Sequence, residues 1–349
     1  MLYKTKNIYL LLLFSLVQLV CLEDSINPPV TVDISNPEDL LIYLESKGDY
    51  INSPDMPSII SAEKVYTNRS SYLIIDIRTR DEFVSGHIEG AVNISHEKII
   101  GFLDTTNISD YHRILIVSST GQEAAYYNSY LRLYGFNNSY SLGFGMASWN
   151  QDFASIWGNA SIDDSDKIVH FTTLEYPKNR YSDLPNINFR DSLSTIEEKT
   201  KKRIVDLMKD PYNINLTYFP TDYYIICFAA KLLYYSKEPP IAHPENAVSF
   251  TPPPANSDYY IPPPVNSDLR SVSNLQTLPN NKPILLYSYS GQLSSYAVAY
   301  LRLLGYDAKN LSFGTHSLFY STMKAIEIFE PYTFTTSKIM NYPYAIGNK

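Results

Sequence analysis

Apolar residues in this chain fall into two kinds of run. Leu73-Ile74-Ile75 and Ile114-Leu115-Ile116-Val117 are short, continuous and rich in β-branched residues. Such runs predict strands buried on both faces rather than strands with one wet side. Elsewhere the apolar positions take helical spacing. Leu40, Leu41, Tyr43 and Leu44 make one face, opened by Ser35 or Asn36 as a cap, Pro37 at the first helical position and Glu38 and Asp39 in the first turn, and closed by Gly48. Further helices are predicted over 61–66, near 96–103 and over 124–133, the last closed by Gly135. Strands alternating with helices predict an α/β unit whose parallel sheet is covered on both faces.

The pattern then returns. Tyr223-Tyr224-Ile225-Ile226 repeats Tyr72-Leu73-Ile74-Ile75, and Ile284-Leu285-Leu286-Tyr287 repeats Ile114 to Val117. Tyr300-Leu301-Arg302-Leu303-Leu304-Gly305 mirrors Tyr130-Leu131-Arg132-Leu133-Tyr134-Gly135, and Leu311-Ser312-Phe313-Gly314 mirrors Leu142-Gly143-Phe144-Gly145. Two units are therefore expected, over 30–157 and 193–349. The polar, irregular stretch 158–192 reads as a linker between them. Ser194 and Glu197 have capping-box spacing for a helix running to Met208, and Lys199, Lys201, Lys202 and Arg203 read as its solvated face. Within the second unit Pro252 to Asp258 is echoed by Pro262 to Asp268. This predicts an extended Pro-rich surface loop over 252–268.

One stretch is specific. From Asp76 to Ile94 the chain reads DIRTRDEFVSGHIEGAVNI. It resembles the rhodanese signature D-x-R-x-x-x-E-F-x-x-G-H-I-x-G-A-x-N-I, with every specified position filled. With the repeat, the chain resembles a tandem rhodanese-like protein. The resemblance implies two domains, each a central parallel sheet flanked by helices. It makes Asp76, Arg78, Glu82, Gly86, His87 and Gly90 framework residues and places the chemistry in a later loop of the form C-x-x-G-x-x. Here that loop is Ser118-Ser119-Thr120-Gly121-Gln122-Glu123, repeated as Ser288-Tyr289-Ser290-Gly291-Gln292. Serine stands at both nucleophile positions. In the second copy Cys227 replaces Asp76 and Ala229 replaces Arg78, while His243 answers to His87.

Rhodanese chemistry needs a thiolate that carries sulfur as a persulfide, cradled by backbone N–H groups and a helix N-terminus. A serine hydroxyl cannot form a persulfide, and it is too weak an acid to attack without a neighbouring base. The first loop also carries Glu123 and no positive charge, which disfavours an anionic donor. The expectation is a catalytically inactive binding or structural module, its ligand a protein or a small anion. The alternative is an active thiosulfate- or mercaptopyruvate-type sulfurtransferase, or a repurposed transferase using Ser118, Ser288 or Cys227. His87 and His243 read as packing residues, Cys227 as a structural thiol, and neither a metal nor a cofactor is expected.

Composition narrows the setting. Net charge is −8 with 28 Lys and Arg against 36 Asp and Glu, which argues against a nucleic-acid partner. Lys4 and Lys6 precede the apolar run Ile8 to Val20, and Cys21 follows. This is the layout of an export signal over 1–21, with lipid attachment at Cys21 as the route to a membrane. A secreted, periplasmic or envelope-anchored location is expected. With only Cys21 and Cys227, an exported chain has no internal disulfide. N-x-S/T sequons occur at Asn68, Asn93, Asn107, Asn137, Asn159 and Asn215, and in an Asn- and Ser-rich chain they arise by chance.

Overall fold

The computed structural model describes residues 37–48, 50–53, 55–163, 171–181, 183–187, 189, 195–237, 240–252 and 268–347. The expected export signal with Cys21, the helix cap at 35–36, Ser194 and most of the Pro-rich loop lie outside the described residues.

The first half builds a sheet from β1 (Ile59–Ile60), β2 (Tyr72–Asp76), β3 (Val92–Asn93), β4 (Arg113–Val117) and β5 (Ser139–Leu142), in the order β1-β5-β4-β2-β3. All neighbours are parallel. β2 is buried at all five positions, as a continuous apolar run requires when helices cover both faces. Around it lie α1 (Pro37–Ser46), α2 (Ala62–Asn68), α3 (Arg80–Ser85), α4 (Ile99–Thr105) and α5 (Gln122–Tyr134). α3 is six residues long and has few internal bonds, so its ends matter. Thr79 accepts the Glu82 N–H while the Glu82 carboxylate accepts the Thr79 N–H, a reciprocal cap.

The second half contains α6 (Ile196–Lys209), β6 (Asn215–Leu216), β7 (Tyr224–Phe228), β8 (Val248–Phe250), β9 (Ile284–Tyr287), α7 (Gln292–Leu303) and β10 (Ala308–Leu311). Its five-stranded sheet runs β8-β7-β9-β10-β6, again all parallel. Read from the other edge, this is the first sheet's order. The registers match too: Asp76 pairs with Val117, the residue before Ser118, and Cys227 pairs with Tyr287, the residue before Ser288.

The halves join through α5 and α7. Ala124 to Arg132 are all buried, because α5 has its own sheet on one side and α7 on the other. Small residues at Ala125, Ser129, Ser295 and Ala299 suit the close approach, and Ser129 Oγ donates to the Tyr296 carbonyl at 2.8 Å. The main core runs continuously from the first sheet to the second.

Each half also sends an arm to the other. After the first sheet, Ile162 donates to the His316 carbonyl, Trp157 packs against Phe313 and His316, and Thr172 pairs with His243. The described parts of the stretch read as a linker thus lie against the second half, with Leu184 and Ile187 buried. After the second sheet, Met340 and Tyr342 donate to the carbonyls of Ser148 and Trp149, and Ala345 pairs with His87.

Two sequence expectations are corrected in α6. Its capping box is Thr195 with Glu198, one residue on from the Ser194–Glu197 spacing. Its basic run is not simply a solvated face. Lys199 is buried, and Arg203 donates to the Leu303 and Arg302 carbonyls at 2.8 and 3.0 Å, closing the end of α7. A cation suits that position, where carbonyls are left without helical partners.

Candidate active-site loops

Each loop joins a central strand to a buried helix, β4 to α5 and β9 to α7. Gly121 and Gly291 open the helices at φ +81° and +75°, a left-handed conformation that glycine adopts without strain. Ser118 Oγ accepts the N–H groups of Gly121 at 3.1 Å and Ala124 at 3.2 Å. Ser288 Oγ accepts the Ser294 N–H at 3.2 Å and lies 2.9 Å from the Ser294 hydroxyl, which donates to Asn310 Oδ1 at 2.6 Å. Ser118 Oγ thus takes up two N–H groups at the start of α5 and Ser288 Oγ one at the start of α7, and both serines are buried.

Access differs between the loops. Ser119, Thr120 and Glu123 are half-buried, so the first loop reaches solvent. In the second, Ser288 to Gln292 are all buried. Tyr289 is the reason. Its ring stacks on Tyr332 at 4.1 Å, its hydroxyl accepts the Ala230 N–H, and its carbonyl accepts from Thr315 Oγ1 and His316 Nδ1. His316 Nε2 in turn accepts the Phe334 N–H at 2.8 Å, so the ring is fixed as the neutral Nδ1–H tautomer. Burial holds its pKa down at about 4.

The framework residues collect beside the first loop. Asp76 and Arg78 form a buried two-pronged ion pair, and Arg78 also donates to the Gly86 carbonyl at 2.7 Å. That bond fixes the turn into His87, whose Nδ1 lies 2.8 Å from the Phe83 carbonyl and whose ring stacks on Phe83. His243 stacks on Tyr234 in the same way. Gly90 takes φ +86° in the turn before β3. Ser119 Oγ donates to Glu82 Oε1 at 3.0 Å. Burial would raise the Glu82 pKa, but the bonds from Thr79 and Ser119 outweigh it and hold the carboxyl low. Glu123 goes the other way, pushed up to about 7 by burial and then by the charges of Glu82 and Asp76. Cys227 is buried, and burial pushes its thiol up to about 12.

Each loop grips the segment that follows the last strand of the other half. Gln292 Oε1 accepts the Phe144 N–H at 2.8 Å, and Gln122 Oε1 accepts the Phe313 N–H at 2.8 Å. Asn310 Nδ2 adds a longer bond to Gln122 Oε1 at 3.4 Å. Sequence reasoning placed both glutamines in the loops and missed the exchange. The one signal was a Gln directly after the loop glycine in both copies. Gln292→Ala is expected to lower stability by about 1–3 kcal/mol through an unsatisfied buried N–H at Phe144, and Gln122→Ala by about 1 kcal/mol at the half-buried Phe313. Urea denaturation of both singles and the double gives a coupling free energy. Strict additivity at a few tenths of a kcal/mol per site would rule the clasp out.

The sequence profile of the rhodanese-like domain matches residues 61–152, which hold β2 to β5 and the first loop. Over 89 residues the chain is 35% identical to the thiosulfate sulfurtransferase GlpE of Shewanella oneidensis, covering 24% of this chain and 82% of that protein. The chain belongs to the rhodanese-like family. Among solved structures, this rhodanese-like protein is similar to a rhodanese-related protein from Thermoplasma volcanium, at 20% identity over 28% of this chain and 90% of that one, TM-score 0.24. It is also similar to a thiosulfate sulfurtransferase from Pseudomonas aeruginosa, at 12% identity over 90% of this chain and 70% of that one, TM-score 0.24.

Proposed function

We propose that this is a tandem rhodanese-like protein without sulfurtransferase activity, in which both loop nucleophiles are replaced by serine and the fold serves as a binding or structural module. The carrying observation is serine at both loop positions, with Ser118 Oγ accepting two N–H groups and Ser288 Oγ one. The matched sheet orders and registers support reading the second half as a diverged copy. A catalytic role for Cys227 is disfavoured on two grounds. No part of it is exposed, and a thiol with a pKa near 12 supplies almost no thiolate at neutral pH. The ligand class remains a protein or a small anion. The expected result is no turnover above a heat-inactivated control with thiosulfate or mercaptopyruvate, and no +32 Da persulfide by mass spectrometry. Turnover abolished by Cys227→Ser would establish the enzyme reading instead.

We further propose that the chain is exported, with processing or lipid attachment near Cys21. Lys4, Lys6 and the apolar run Ile8 to Val20 support this. The mature protein is expected to lack Met1. Fatty-acid labelling that disappears in Cys21→Ala would identify a lipoprotein. An intact N-terminus on a cytosolic protein would contradict export.

A further inference from the structure

The arm that follows the second sheet lies along the first half, and its seat there is built as a peptide groove. The groove is made by Tyr66 of α2, the turn at His87 after α3, and the run Trp149 to Phe153 after β5. It reads the main chain of the arm along its length. The N–H groups of Met340 and Tyr342 reach the Ser148 and Trp149 carbonyls, Ala345 and His87 exchange both bonds at 2.8 and 2.9 Å, and Gly347 donates to the Val84 carbonyl. Trp149 Nε1 and Asn150 Nδ2 donate to the Pro343 and Tyr342 carbonyls, each at 2.9 Å. At position 343 the groove uses only the carbonyl, so proline forfeits no bond there.

Side chains of the arm are read as well. Tyr342 stacks on Tyr66 at 3.9 Å and meets Trp149 edge-on at 5.2 Å. Tyr344 packs on Phe153 at 4.9 Å, and its hydroxyl donates to Asp152 at 2.6 Å. Asn341 Oδ1 accepts the Gln151 N–H at 3.1 Å. Gly86 lets Tyr344 come this close, since a Cβ there would lie 2.9 Å from two carbons of its ring. The arm itself is peripheral. Trp149 and His87 are buried, whereas no residue from 340 to 347 is, and Ile346 is 71% exposed. An extended segment that bonds through its main chain and seats alternate side chains is a recurring mode of peptide recognition. None of these contacts requires the segment to be joined to the chain that holds it.

We propose that this groove is a docking site for an extended segment of another protein, one that carries aromatic side chains on both sides of a proline as Tyr342-Pro343-Tyr344 does, and that the arm fills it until such a segment displaces it. The proposal rests on the reading of the chain as a protein-binding module and gives the partner's class. Sulfur-transfer turnover would end that reading without touching the groove, which peptide binding alone decides.

The test uses the full chain and a fluorescein-labelled synthetic peptide of residues 339–347, followed by anisotropy. The arm competes from within at an effective concentration on the order of millimolar, so the natural chain is expected to bind the peptide only weakly. Two variants loosen the arm and spare the groove. Tyr342→Ala with Tyr344→Ala removes its ring contacts, and Ala345→Pro removes the N–H that pairs with His87. None of these residues is buried, so both variants should fold. Each should bind the peptide saturably and at least about tenfold more tightly than the natural chain. In the peptide, replacing both tyrosines by alanine should weaken binding about tenfold or more, and Ile346→Ser should leave it unchanged. Tyr66→Ala in a loosened chain should also weaken binding, while Lys231→Ala, at a remote surface ion pair, should change nothing. No saturation in either loosened variant, equal binding of the alanine peptide, or affinity unaffected by Tyr66→Ala would overturn the proposal. So would a dimer of the natural chain, seen by sedimentation, that is lost in Tyr342→Ala with Tyr344→Ala, because the groove would then serve the arm of a second copy.

Discussion

Gly145→Ala is expected to destabilise the protein by about 3 kcal/mol or more, the largest effect of any single-methyl addition here. Gly145 takes φ +63° and ψ −153°, a region essentially restricted to glycine. A Cβ there would also collide with backbone on three sides: the carbonyl oxygen of Ser118, the amide nitrogen of Gly121 at 2.6 Å and the carbonyl carbon of Ser119 at 2.7 Å. None of these can rotate away as a side chain could. The Ser118 carbonyl also accepts the Met146 N–H at 2.9 Å, so moving it breaks the bond that closes the loop against the next helix. Gly314→Ala should behave alike, because its Cβ would strike the Ser288 carbonyl and the Gly291 nitrogen. Gly101→Ala is the control: this glycine sits inside α4 with nothing within 4 Å of the added carbon, so alanine should stabilise by up to about 1 kcal/mol. Urea denaturation at matched protein concentration measures all three. A Gly145→Ala loss below about 1 kcal/mol would mean that the segment from Leu142 to Gly145 does not brace the loop.

Much of this fold can be read from the chain, and what cannot has a physical reason. The run Asp76 to Ile94 is legible because each of its residues serves a local need. Thr79 and Glu82 cap a six-residue helix, Gly90 turns with φ +86°, and Asp76 and Arg78 pair across two positions of one strand end. The strands are legible because full burial demands continuous apolar runs. Contacts over long separations leave no such trace. Gln122 and Gln292 look like loop polar residues until the halves are assembled, since each satisfies an N–H almost 200 residues away or close to 150. Arg203 looks like one more surface charge, yet it closes a helix about a hundred residues on. The C-terminal arm joins backbone bonds to Ser148, Trp149 and His87 with Tyr342 stacked on Tyr66 and Tyr344 packed on Phe153, partners too far along the chain for any local pattern to mark them.

The sharpest test of the first loop is to restore a thiol. In Ser118→Cys, sulfur would take the place of an oxygen that now accepts two N–H bonds at the N-terminal end of α5. Those donors stabilise a thiolate and lower its pKa. Glu123 opposes them only when ionised, and its pKa near 7 makes that opposition depend on pH. Below pH 7 it is mostly neutral and the thiolate forms freely. As pH rises through 7 its charge appears and holds the thiol back. The labelling rate with iodoacetamide should therefore rise less steeply with pH above 7 than a single titration allows. Glu123→Gln should remove the flattening, and Glu123→Arg should also raise the rate at neutral pH. Glu123 has a second expected signature in stability. Its folded pKa lies above the usual carboxyl value of 4.5, so its contribution is complete below 4.5 and is lost as pH rises through about 7. Glu123→Gln should then flatten the fall in stability between those two values. Ser288→Cys should label at least about tenfold more slowly than Ser118→Cys, because Tyr289 seals its loop beneath Tyr332 and every loop residue is buried. Equal rates for the two cysteines in the folded protein would show that the half-buried Ser119 and Thr120 do not mark a route to position 118. No labelling of either would show that the first loop is closed as well.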